Sequence, residues 1–344
     1  MSAALPVTPA GWEAAARAAL SPEAWAYYAG GAADEVTLED NVAAWRRWAL
    51  RSRVLVDVTE VDTATTLLGV PRPHPLLVAP TAFHRGLHAG AEPETLRGSA
   101  RADAIFCLST SATTTPAELA AAEPGAPRWF QLYLRGGLDG GVRMLAPLAD
   151  LGYEAVVVTV DLPVLGVRDR ERALPWDPEP APSTIAASGE APYVLDARGL
   201  ETLVAASPVP LLVKGVLDAR DARTAVETGA AGVVVSNHGG RQLDTVLATA
   251  DVLPEVAAEV GRDVDVLVDG GVRRGTDVVA AMALGARGVL IGRPCLWGLA
   301  VGGADGVQAV LTQLLDEVRV ALALLGVGHA TDLSAAHVTR APWR

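Results

Sequence analysis

Lysine is almost missing from this chain: of its 28 basic residues, only Lys214 is a lysine. Cysteine is nearly absent too. Cys107 and Cys295 are the only two, each inside an apolar stretch. They read as core thiols of a reducing compartment, not as a disulfide or a metal pair, and no metal site is expected. Positive charge is in deficit, with a formal net charge of −12, which argues against nucleic acid or an anionic membrane as partner. No uninterrupted apolar run approaches membrane length. The opening residues lack a basic stretch followed by an apolar one, so they do not read as a signal peptide. The expected location is the cytoplasm. An acidic protein that handles a small anion must draw it in through a local basic pocket, because its overall field is repulsive.

What is present is a long, apolar chain: 344 residues, half of them hydrophobic. That suffices for one large core, and α/β barrels reach this size as single domains. Eight short apolar runs recur, near Leu76–Ala79, Ile105–Leu108, Trp129–Leu132, Ala155–Val160, Leu211–Val213, Gly232–Val235, Val264–Val268 and Gly288–Ile291. They lack strict alternation, as expected of parallel strands covered on both faces. Helical patterns such as Thr115–Ala122, Asp218–Thr228 and Gly275–Leu284 lie between them. Alternation of strand and helix implies right-handed βαβ units, and eight units imply closure into a (β/α)8 TIM barrel. Residues 1–75 form an extension before the barrel, with helices expected near Pro9–Leu20 and Pro22–Ala29. A long final helix is expected over Asp305–Leu325. The Pro-, Ala- and Ser-rich stretch 174–193 reads as a mobile loop over the active site, inside a single domain of residues 1–344.

Active sites of such barrels form at the carboxyl ends of the strands. The residues just past each strand are polar at all eight positions: Pro80-Thr81-Ala82, Ser109-Thr110-Ser111, Gln131 with Tyr133, Thr159 with Asp161, Lys214, Ser236 to Arg241, Asp269 to Arg273, and Gly292-Arg293. A purely structural barrel gives no reason for this. The last two clusters read as a phosphate site, in which Gly270, Gly271 and Gly292 let backbone N–H groups approach an anion and Arg273 and Arg293 clamp its oxygens. His238 suits a proton acceptor near neutral pH. Arg241, three residues on, could grip a carboxylate, and Asp161 could orient the imidazole. The solitary Lys214 marks a place that needs a compact ammonium, which a planar guanidinium cannot replace.

SNHGGRQLD (Ser236–Asp244) resembles the signature of the FMN-dependent 2-hydroxy-acid oxidase/dehydrogenase family, which includes glycolate oxidase, lactate oxidase and mandelate dehydrogenase. YYAGGAADEVTLEDN, LVAPTA, FQLY, TVDLPVLGVR, LVKG, LVDGGVRRGTD and IGRP occur in the family's order, so the similarity spans nearly the whole chain. The resemblance implies FMN as cofactor, with the segment Pro80, Thr81 and Ala82 facing the flavin ring. It implies that Ser109, Gln131, Thr159 and Ser236 belong to the flavin site. Lys214 would sit by the N1–C2 carbonyl, where positive charge stabilises the reduced flavin. Asp269 would hold the ribityl chain, and Gly270, Gly271, Arg273, Gly292 and Arg293 the phosphate. Arg168 and Arg241 would bind the substrate carboxylate, Tyr27 and Tyr133 would supply hydroxyls, and His238, supported by Asp161, would be the base. Tyr28 is expected in the core or an interface.

The pattern is not followed everywhere. Ser111 stands where the glycolate-oxidase pattern has a tryptophan, which enlarges the pocket and favours a bulky (S)-2-hydroxy acid such as mandelate. The loop between Arg168 and Lys214 is about twenty residues shorter than usual, which should leave the mouth more open. His88-Ala89-Gly90-Ala91-Glu92 replaces the family's His-Pro-Glu-Gly-Glu, with an expected effect on turn geometry. O₂ is the expected acceptor and a homotetramer the expected assembly. The alternatives are a dehydrogenase serving a quinone or protein acceptor, an FMN-dependent isomerase, and a non-enzymatic flavin-binding protein.

Overall fold

A computed structural model of the chain describes residues 4–134, 136–177 and 194–342. Its centre is a closed barrel of eight parallel strands: Leu76–Val78, Ile105–Ser109, Arg128–Leu132, Val156–Thr159, Leu211–Val216, Gly232–Val235, Asp265–Val268 and Gly288–Ile291. Each strand pairs with its neighbour in the chain, and the eighth returns to the first in the register Val289 to Leu76, Leu290 to Leu77 and Ile291 to Val78. All eight strands expected from the apolar runs are there. Their side chains sort with period two. Leu77, Ile105, Cys107, Trp129, Val157, Leu212, Val234, Leu267 and Leu290 fill the barrel interior. Their neighbours, among them Val78, Phe106, Phe130, Val158, Val233, Val268 and Ile291, pack outward under the helices. Burial on both faces explains the lack of alternation in the sequence.

The helices begin where their capping chemistry places them. Thr8, Ser21 and Thr115 each accept a backbone N–H while Pro9, Pro22 and Pro116 open the first turn. The second of these helices, Pro22–Ala29, carries Tyr27 and Tyr28 to the barrel mouth. The final helix differs from expectation. It starts at Arg293, directly after the eighth strand, and runs to Leu325 with a break at Gly302 and Gly303. The helix expected from Asp305 is therefore the second arm of a longer element.

The extension before the barrel is not wholly helical. After a third helix, Val36–Ala44, come the strand Trp48–Leu50, paired antiparallel with Val338–Arg340, and the hairpin Thr65–Leu67/Val70–Arg72. That hairpin sends Leu67 into the interior cluster at the amino ends of the strands and closes that end of the barrel. Among the described residues, no helix is long and apolar enough to cross a membrane. Of the stretch 174–193, residues 178–193 lie outside the described residues.

Candidate active site

A cavity of about 370 Å³ opens at the carboxyl ends of the strands. Its wall includes Tyr27, Pro80, Thr81, Ala82, Ser109, Ser111, Gln131, Tyr133, Thr159, Arg168 and Lys214. The wall is completed by His238, Arg241, Asp269, Gly270, Gly271, Arg273, Gly292 and Arg293. Two expected site residues are not on it. Asp161 reaches the cavity only through His238, and Ser236 only through Lys214 and His238.

His238 has a left-handed backbone, φ 59°, a conformation that costs a non-glycine residue energy and needs its surroundings to hold it. Ser236 Oγ accepts the His238 backbone N–H at 3.1 Å. Nδ1 lies 2.9 Å from Asp161 Oδ1, and Nε2 lies 3.2 Å from the Tyr133 hydroxyl. Burial pushes the Asp161 carboxyl up, but the charge and hydrogen bond of His238, with help from Lys214, outweigh it and hold Asp161 below its ordinary range. An ionised Asp161 fixes the ring proton on Nδ1, so Nε2 presents a lone pair to the cavity. Burial raises the Tyr133 hydroxyl well above its usual value, which keeps it a proton donor.

Lys214 is held from below. Its Nζ donates to Ser236 Oγ at 2.8 Å and pairs with Asp269 Oδ2 at 3.1 Å. Burial works against its charge, but Asp269 and Asp161 prevail and raise the ammonium above its ordinary value. Ser236, read from sequence as part of the flavin site, links Lys214 and His238 through its hydroxyl oxygen. Gln131 bridges neighbouring strands: Oε1 accepts from Ser109 Oγ and Thr110 N, and Nε2 donates to Thr159 Oγ1 at 3.0 Å.

Two pairs of arginines face the cavity with different partners. Arg273 and Arg293 form no ion pair among the described residues. Arg293 donates to the carbonyls of Tyr28, Gly239 and Gly30 at 2.8–3.0 Å. Burial, with Arg241 and Arg273 nearby, brings its guanidinium down to about 9. Gly292 precedes this arginine at the start of the final helix, and a side chain there would meet nothing nearer than Ala79 Cβ at 3.8 Å. The opposite holds at Gly271, φ 77°, where a Cβ would lie 1.9 Å from the Asn41 carbonyl oxygen. One glycine leaves open space beside a helix N-terminus and the other lets the backbone pack behind it. Two unpaired cations, a helix N-terminus and the buried, unpartnered Asp269 Oδ1 together form a site for a phosphate on a hydroxyl-bearing chain. This donor set fits FMN.

The second pair, Arg168 and Arg241, lies near Tyr27. The Arg241 guanidinium stacks over the Tyr27 ring at 5.0 Å and donates to the Tyr27 and Gly30 carbonyls. Its third partner is one that sequence reading missed. Glu171 Oε1 accepts from Arg241 Nη2 at 2.8 Å, and both Glu171 oxygens lie 3.5 Å from Arg168 Nη1. Tyr28 is buried as expected and its hydroxyl donates to Phe83 O at 2.5 Å, but its ring also lines the cavity. Trp176 packs against Tyr27, Tyr28 and Phe83, at 5.0, 5.2 and 6.3 Å between ring centroids. An aromatic group thus flanks the cavity on this side, and the rest of the short loop, residues 178–193, lies outside the described residues.

Residues 16–340 match the family described as FMN-dependent dehydrogenase. An L-lactate oxidase of Nostoc sp. is 43% identical over 349 residues, spanning 94% of this chain and 95% of that protein. The 2-hydroxyacid oxidase 2 of Mus musculus is 39% identical, spanning 94% and 96%. A crystal structure of mandelate oxidase, 36% identical, superposes with a TM-score of 0.92 over 97% of this chain and 98% of that one.

Proposed function

The chain belongs to the FMN-dependent dehydrogenase family, and we propose that within it the protein is an oxidase of bulky (S)-2-hydroxy acids. It is an FMN-dependent 2-hydroxy-acid oxidase: R–CH(OH)–COO⁻ and O₂ give R–CO–COO⁻ and H₂O₂. The observation that carries the assignment of roles is His238, with Nδ1 tied to Asp161 and Nε2 beside the Tyr133 hydroxyl in the cavity that the arginine pair also faces.

Bound FMN supplies the two-electron acceptor, its phosphate taken by Arg273, Arg293 and the backbone at Gly270, Gly271 and Gly292. Arg168 and Arg241 hold the substrate carboxylate, and Tyr27 and Tyr133 offer hydroxyls beside them. Holding the carboxylate fixes the α-carbon, which lowers the entropic part of the barrier. His238 Nε2 accepts the proton the substrate loses, and Asp161 stabilises the imidazolium that results. Lys214, seated on Ser236 and Asp269, would offer bound FMN a fixed positive charge from the cavity wall, so little reorganisation would be needed during reaction. A single-domain chain, a cytoplasmic location and a tetramer complete this reading. The two free thiols, both buried, suit a reducing compartment.

The preference for bulk rests on Ser111 in the cavity wall. A phenyl-sized group buried there contributes roughly 25 cal/mol per Å², on the order of 2 kcal/mol or about thirtyfold in kcat/KM. Mandelate oxidase, the superposing relative, has been crystallised with benzoyl-formic acid. The test is anaerobic flavin bleaching by a panel of 2-hydroxy acids. We expect (S)-mandelate to exceed glycolate and lactate, and Ser111→Trp to shift preference back to small acids with FMN retained. Glycolate equal to or better than mandelate in the wild type would overturn the preference.

A further inference from the structure

Glu171 has no part in the roles above, yet it is the acid that touches both carboxylate-binding arginines. It sits on the short helix Asp169–Ala173, one turn past Arg168, with its side chain 20% exposed against 10% and 14% for Arg168 and Arg241. Arg241 is not free to turn toward it or away. Both Nη1 hydrogens are taken by the Tyr27 and Gly30 carbonyls, and one Nη2 hydrogen by Glu171. This leaves the Nε–H and the other Nη2–H without an acceptor among the described residues. Those two hydrogens remain for an incoming carboxylate. Glu171 thus shares Arg241 with an incoming carboxylate and does not block it. Repulsion from Arg241 lowers the Arg168 guanidinium beyond the effect of burial, and Glu171 counteracts it.

Taking Arg168 and Arg241 as the carboxylate site of the proposed function, we infer that Glu171 is a charge-setting, positioning residue for that site. The empty site carries two guanidiniums and one carboxylate, a net single positive charge. One substrate carboxylate brings it to neutrality, and the anionic 2-oxo acid product leaves a site that holds it with one unit of charge and not two. The same count disfavours a second carboxylate on the ligand. A sequence of this composition, in which arginine is plentiful and lysine nearly absent, would otherwise grip carboxylates with two uncompensated guanidiniums and release product slowly.

The test uses FMN-loaded enzyme, with binding read as the perturbation of the flavin spectrum by benzoylformate and by its neutral amide. Glu171→Gln keeps an oxygen for Arg241 and removes the charge. A full charge lost at hydrogen-bond range in a partly screened site is worth about tenfold in affinity or more. We expect Glu171→Gln to bind benzoylformate at least tenfold more tightly, to bind the amide within twofold of wild type, and to gain steeper salt dependence for the acid. Glu171→Asp should restore wild-type behaviour. Weaker binding of the acid by Glu171→Gln would show that Glu171 merely props Arg241, and equal shifts for acid and amide would show a general effect on the pocket. Either result overturns the inference. If the wild type itself binds acid and amide alike, the assignment of the arginine pair fails, a distinct outcome. Should Glu171→Gln not retain FMN, the wild type decides: 2-oxoglutarate should bind at least tenfold more weakly than 2-oxopentanoate, with the gap closing in salt. Equal binding of these two at low salt would overturn the charge count.

Discussion

The two ends of the barrel use arginine in contrasting ways. At the amino end Arg128, the first residue of the third strand, is buried and donates to the carbonyls of Glu123, Ala126 and Leu151 at 2.7–3.2 Å. Nearby, Arg287 pairs with Asp265 at 3.0 Å, and the other Asp265 oxygen accepts the Leu68 N–H at 2.6 Å. The cationic groups there are met by carbonyls and a carboxylate, with the Leu67 hairpin packed against them. The buried atoms left without partners are neutral or cationic donors, Trp129 Nε1 and Arg72 Nε. At the carboxyl end Arg293 also donates to backbone carbonyls, but among the described residues the Arg273 guanidinium has no acceptor beyond the Val272 carbonyl. Asp161 Oδ2 and Asp269 Oδ1 are buried there without partners. Among the described residues the amino end leaves no buried carboxylate oxygen without a partner. The carboxyl end is complete only with ligands, and its unpaired charges cost stability that the ligands recover.

Breaking the contrast at its most reactive point gives the largest effect. His238→Ala should keep FMN and its melting temperature yet lower the rate of flavin reduction about a thousandfold or more, because the carboxylates of the wall, Glu171 and Asp269, are tied to Arg241 and Lys214. Anaerobic stopped-flow measurement of flavin bleaching checks this, and a near wild-type rate would remove His238 from its role. The mirror experiment lies at the other end. Arg128→Met should remove the side-chain partner of the Ala126 and Leu151 carbonyls and destabilise the fold by about 2–4 kcal/mol. The folded fraction should still reduce its flavin within twofold of wild type. Thermal melting beside the bleaching assay would show whether the two ends separate in this way.

How far the sequence foretold this contrast depends on the range of the interactions. The strands were legible because each is a run of Val, Leu and Ile buried on both sides, and the polar residues at their ends follow directly from where the strands stop. Pro294 could have signalled that the final helix starts at Arg293, but the Gly-Arg pair drew attention as an anion site instead. The hairpin Thr65–Leu67/Val70–Arg72 was not legible, since its strands are three residues long and its turn is Leu68-Gly69, with φ 50° and 78°. The strand Trp48–Leu50 depends on a partner at Val338–Arg340, far away in the chain. That the Ser236 hydroxyl joins Lys214 to His238 was not legible either, since the three meet only across neighbouring strands. Glu171 escaped notice for a related reason. In the run DRERAL an acid reads as a solvated helix face, and only folding brings it to Arg241, 70 residues away.

The central claim is that unpaired cations at the carboxyl end are kept for a bound phosphate at the expense of the empty protein's stability. Arg273 is the cleanest place to test it, because among the described residues its guanidinium donates only to the neighbouring Val272 carbonyl and burial lowers it below its ordinary value. The measurement is the melting temperature of the Arg273→Leu variant and the wild type, each stripped of flavin and then titrated with FMN. We predict that stripped Arg273→Leu melts at or above the stripped wild type, while it binds FMN about tenfold or more weakly and gains less stability from it. A stripped variant that melts well below wild type and binds FMN equally well would contradict the account, because Arg273 would then be a structural residue like Arg128.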